Sequence, residues 1–173
     1  MSSLRIRAIV SSFCLAVSVG VLSAQQSEGG FCADLNAVGA EARAGFMKFR
    51  GAPLGPAETN KVTGWSETKF ATSRKLLGAL SCDVSETRHP KEGAYTTYEC
   101  SFASGPTKVE TAFRIAKEII SCTGIKPSAG DREASDIDDA EDYAVLFLPA
   151  RGFKVKVLTI PSPSSVRVSV SAL

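Results

Sequence analysis

Two stretches of the chain alternate apolar and polar residues, and each carries a cysteine at the same distance from Lys91. In residues 76–86, Leu80, Cys82 and Val84 fall on every second position, and in residues 94–103 Tyr98, Cys100 and Phe102 do the same. A period of two is the signature of a strand with one buried face. The intervening residues 87–93 are polar and include Pro90 and Gly93, which predicts a hairpin loop. A hairpin that turns symmetrically about Lys91 sets Cys82 opposite Cys100, with both side chains on the apolar face. At a close, non-hydrogen-bonded pair the two thiols can be bridged. Such a bond demands antiparallel pairing in a single register.

How many of the chain's five cysteines take part depends on its first residues. Arg5 and Arg7 precede an uncharged, mostly apolar run over residues 8–21, and Leu22, Ser23 and Ala24 follow it before Gln25. Positive, apolar and small-residue segments in that order predict a cleavable export signal over residues 1–24. The competing reading, a membrane anchor, is disfavoured by length, because a helix over 8–21 spans roughly 21 Å against the ~30 Å of a hydrocarbon core. Cys14 belongs to the signal, which leaves Cys32, Cys82, Cys100 and Cys122. An even set in an oxidising compartment predicts two disulfides. With Cys82 paired to Cys100, Cys32 is left to Cys122. That pairing needs the two predicted helices to run antiparallel; a helix crossing the sheet obliquely would bring Cys122 to Cys82 instead.

The signal also carries the chain's excess charge. The sequence has 20 Lys+Arg and 18 Asp+Glu, and Arg5 and Arg7 leave with no acid, so the remainder is formally neutral. Charge therefore gives no reason to expect a nucleic-acid or anionic-membrane partner. After the signal, a polar, glycine-bearing start over 25–30 leads into a single disulfide-stapled domain over 31–173, long enough for its own core. No later segment approaches the ~20 apolar residues of a spanning helix, so no transmembrane anchor is expected in the mature chain.

Periodicity supplies the rest of the layout. Leu35, Val38, Ala42, Phe46 and Phe49 recur at intervals of three and four, predicting a helix from 31 to about 50. A Gly/Pro-rich linker follows to about 64, then strands over 65–72, 76–86 and 94–103. Thr107, with Glu110 three residues on, forms a capping box for a second helix over 108–122. Its apolar face is Val109, Ala112, Phe113, Ala116, Ile119 and Ile120, and Gly124 marks its stop. Strands over 143–149, 153–160 and 166–170 follow an acidic loop. The order α-βββ-α-βββ predicts an α+β two-layer sandwich, with a mainly antiparallel sheet and both helices on one face.

Chemistry is harder to find. The single histidine, His89, lies in the predicted hairpin loop. The chain has no G-x-S-x-G elbow, no C-x-x-C pair, no G-x-G-x-x-G and no P-loop. No catalytic residue and no cofactor are assigned on this basis. Within the acidic loop, Asp136, Asp138 and Asp139 are hard oxygen donors that suit calcium, but the glycine and distal glutamate of a calcium loop are missing. A solvated loop is the better reading. Lys154, Lys156 and Arg167 fall on outward positions of the last two strands and, with Arg151 at the turn before them, form a basic row that could meet an acidic site on another protein. The plainer reading is a solvated sheet face. Trp65 is expected in the core.

An export signal, stapling cysteines and no catalytic constellation together lead to an exported, periplasmic or secreted, non-enzymatic binding protein. Its partner would be another protein, in the manner of an inhibitor or immunity-type partner. Two other readings stay open: a carboxylate-dependent, calcium-binding hydrolase built on the acidic loop, and an envelope-structural accessory protein.

Overall fold

The computed structural model describes residues 30–105, 107–124, 144–147, 152–160 and 165–173, with backbone alone for 144–147. Helix α1 (Phe31–Glu41) runs into a short 3₁₀ turn at Ala42–Ala44. Strands β1 (Arg50–Pro53), β2 (Glu58–Thr59), β3 (Ser66–Thr72), β4 (Ser81–His89) and β5 (Gly93–Ala103) follow. Helix α2 (Lys108–Thr123) then leads to β6 (Ala144–Phe147), β7 (Phe153–Ile160) and β8 (Ser165–Ala172). The strands form one sheet in the order β1-β3-β4-β5-β8-β7-β6, with β2 beside β3, and every pair is antiparallel. Both helices pack on one face, so the fold is the α+β two-layer sandwich that the sequence predicts.

The core lies between those layers. One row of cross-strand partners runs from Phe70 through Val84, Tyr98 and Val170 to Val155, and all five are buried. Val157, Val166 and Val168 extend the same face, and Leu35, Val38, Ile115 and Ile119 meet it from the helices. Each fully buried valine contributes about 1.5–3 kcal/mol relative to exposure. The small residues of α1 allow close approach: a Cβ on Gly39 would fall 2.3 Å from the Phe153 ring, so only glycine fits there.

The hairpin has the register expected of it. Cys82 faces Cys100, with Cα atoms 4.1 Å apart, and the two are bonded on the core side. The second bond joins Cys32 at the start of α1 to Cys122 at the end of α2. At the start of α2, Glu110 N donates to Thr107 Oγ1 at 3.1 Å, and Gly124 closes the helix at φ +70°.

Elsewhere the boundaries differ from expectation. The first helix ends at Glu41 rather than near Arg50, because Gly45 and Phe46 take left-handed conformations (φ 64° and 58°) that turn the chain out of the helix. Phe46 and Phe49 nevertheless reach the core from this irregular segment, which is why their spacing mimicked a longer helix. The linker over 51–64 contains β1 and β2. Their side chains are largely exposed, so backbone pairing with β3 alone makes them strands. Strand β4 starts at Ser81, not 76; Leu76 is buried in the preceding loop, whereas Leu80 is 64% exposed. The hairpin loop shrinks to Pro90, Lys91 and Glu92 as pairing continues through His89 and Gly93. On α2, Thr111 and Ile115 take the buried positions, while Phe113 is 48% exposed.

Candidate functional site

The alternation that points Cys82 and Val84 inward points Asp83, Ser85, Thr87 and His89 outward, onto the face that carries neither helix. Register then dictates the neighbours on that face. Glu67, Thr87 and Tyr95 form one row across β3, β4 and β5; Lys69, Ser85 and Thr97 form the next. Ala71, Asp83 and Glu99 form the third, which continues to Ser169 and Lys156. Toward the hairpin turn, Trp65 precedes the first β3 residue and continues the register to His89.

These rows enclose a cavity of about 300 Å³. Ser85 and Thr87 of β4 form its floor, Trp65 and Glu67 one wall, and Tyr95, Thr97 and Glu99 the other, with His89 and Glu92 at the hairpin end. Glu67 also borders a second cavity of about 250 Å³, which lies beneath the loop over 54–58. The Ser85 hydroxyl donates to Glu67, and Lys91 N donates to His89 Nδ1 at 3.4 Å.

Charge is distributed unevenly along this face. Asp83 and Glu99 are directly opposed, and burial pushes both carboxyls above the ordinary range. For Asp83, Lys69 and then Arg167 pull the other way, and Glu67 adds to the rise. For Glu99, Arg167 is the main opposing cation, its Nη1 3.6 Å from Oε2, and Asp83 adds to the rise. Among the described residues, Asp83 Oδ1 is buried without a hydrogen-bond partner. On the opposite face the cause is reversed: hydrogen bonding to Arg88, ahead of that to Arg50, holds Glu86 below its usual range.

A raised carboxyl pKa means that the folded chain keeps its proton to higher pH than the unfolded chain. Its stability contribution therefore declines as pH rises from the ordinary carboxylate range through the raised value. Asp83→Asn, which removes one of two opposed like charges, should raise stability at pH 7 by about 0.5 kcal/mol and flatten that decline. Thermal melts of both proteins between pH 4 and 8 would show it; parallel pH profiles would refute it.

Ser85 and His89 are four residues apart along β4, about 13 Å, so they form no serine–histidine pair, and the Ser85 hydroxyl donates to Glu67. Among the described residues no three His, Cys, Asp or Glu side chains are placed to hold a metal ion. Carboxylates beside two aromatic rings and a hydroxyl floor are instead suited to holding a positively charged group.

Of the residues singled out from sequence, Arg167 on β8 and Lys154 and Lys156 on β7 lie on this face, one and two strands from the cavity. Arg167 is paired with Glu99, and the row borders the acidic trough. Arg151, Asp136, Asp138 and Asp139 lie outside the described residues. Trp65 is only half-buried and lines the cavity, contrary to its expected place in the core, because it sits at the sheet's outer row. His89 is a strand residue beside the same cavity rather than a loop residue. Sequence reasoning misses Glu67, Thr87, Tyr95 and Glu99. For Thr87, Tyr95 and Glu99 the signal is the polar half of the alternation that identifies the cysteine strands, whereas Glu67 lies on β3 and has no such signal.

Compared with family models, curated proteins and solved structures, the chain matches none.

Proposed function

We propose that the chain is an exported, non-enzymatic binding protein that holds another protein against the helix-free face of its sheet. The trough over β3, β4 and β5 is the observation that carries this reading. It is a concave, polar surface with aromatic walls, and it lies beside charges of both signs, the composition that gives an interface its specificity. Export is supported by the segment pattern of residues 1–24 and by two disulfides, which suit an oxidising compartment. Among the described residues no helix is long and apolar enough to cross a membrane. The calcium-dependent hydrolase reading rests on Asp136, Asp138 and Asp139, outside the described residues.

The test uses the protein recovered after export. Its N-terminus should be Gln25, read by intact mass. Immobilised, it should retain a partner from its own compartment that Thr87→Arg, which fills the trough floor, no longer retains. Retention unchanged by Thr87→Arg would overturn the assignment of this face.

A further inference from the structure

We propose that the trough receives a cationic side chain, arginine or lysine, presented by an extended segment of the partner protein. This rests on the reading of the face given above and adds the chemistry of what enters it.

Three features of the site lead there. Size is the first: about 300 Å³ is at the lower limit of small-molecule sites and suits one long side chain. Charge is the second. Glu67, Glu92 and Glu99 line the trough, with Asp83 beyond its deep end, and the cations within this group are Lys69 and Arg167. An arriving cation therefore improves the local balance, whereas a neutral ligand would desolvate carboxylates and return no ion pair. The third is aromatic: Trp65 and Tyr95 stand on opposite walls, on the strand-side positions flanking β4. Rings so placed attract a cation lying within ~6 Å of a ring centroid and cover its methylene stem.

The occupant is a segment of protein rather than a free amine because a second cavity begins on the other side of Glu67. Lined by residues 54–58, it offers an apolar wall of Leu54, Pro56 and Ala57 to the residue two positions along from the cation. An extended segment points alternate side chains to one face about 6.6 Å apart, so residues i and i+2 can fill the two cavities with one carboxylate between them.

Trp65 is the chain's only tryptophan, so its fluorescence reports on this site without a label. The probe is an end-capped pentapeptide, Val-Thr-Arg-Thr-Val, titrated against the exported protein. Its counterpart carries citrulline, which keeps the shape of arginine and lacks the charge. The arginine peptide should change Trp65 emission saturably, with half-saturation at or below about 10 mM, and the citrulline peptide should bind at least tenfold more weakly. Glu67→Gln with Glu99→Gln should weaken the arginine peptide at least tenfold while the thermal melt stays cooperative. If that pair fails to fold, Glu92→Gln at the exposed turn and a rise in salt should each weaken binding instead. Equal binding of the two peptides, no response to the arginine peptide, or a response only to a neutral sugar such as chitotriose would each overturn the proposal. None of these outcomes touches the Thr87→Arg retention test, so the cation can fail while the face stands.

Discussion

Replacing Cys32 and Cys122 together by alanine should lower the unfolding free energy by about 4.6 kcal/mol, against about 3 kcal/mol for Cys82 and Cys100. The ranking follows from chain closure. The first bond spans 90 residues and the second 18, and the entropy removed from the unfolded chain grows with the logarithm of loop length. A domain of this size has a total stability of only ~5–15 kcal/mol, so either loss is a large share. Urea unfolding would show a lower midpoint, and a steeper slope as the unfolded chain expands. The opposite ranking would mean that strand pairing in the native sheet outweighs closure of the unfolded chain.

The second large effect centres on Asp34. This α1 residue is fully buried, and Arg74 Nη2 pairs with its Oδ1 at 2.9 Å. The loop carrying Arg74 is fixed again by Tyr98, whose hydroxyl donates to the Arg74 carbonyl at 2.7 Å. Burial, then the charge of Asp34, pushes the Tyr98 hydroxyl well above its ordinary pKa, so it stays a donor throughout the usual pH range. Arg74→Ala takes the guanidinium from a buried carboxylate and should cost about 3 kcal/mol. Arg74→Met combined with Asp34→Leu, which removes both charges and keeps apolar volume, should cost distinctly less. A double variant as unstable as the two single losses combined would rule out the buried charge as the cause.

The parts of this molecule that could be read from sequence are those fixed by local rules. The Cys82 and Cys100 alternation reports a face, and Pro90 with Gly93 reports a turn, so register followed from counting. Thr107, Glu110 and Gly124 report helix ends because capping is local chemistry. The first helix was misjudged because Phe46 and Phe49 satisfy a helical spacing from irregular backbone, and spacing does not record φ. Strands β1 and β2 left no pattern, since edge strands with exposed side chains are held by main-chain bonds that any sequence can make. The trough was half-legible. Its floor and far wall are the outward residues of the two cysteine strands, but Trp65 and Glu67 join them only through the pairing of β3 with β4, which no local pattern announces.

The bond between Cys82 and Cys100 lies beneath that trough, on the other side of the same two strands. If β5 slipped one residue along β4, its faces would exchange, and Tyr95, Thr97 and Glu99 would turn toward the helices. If it slipped two, Cys82 would face Tyr98 or Phe102 and no bond could close. Oxidation therefore serves as a proofreading step for the binding surface: a hairpin that has acquired its cross-link has also aligned Thr87 with Tyr95 and Ser85 with Thr97.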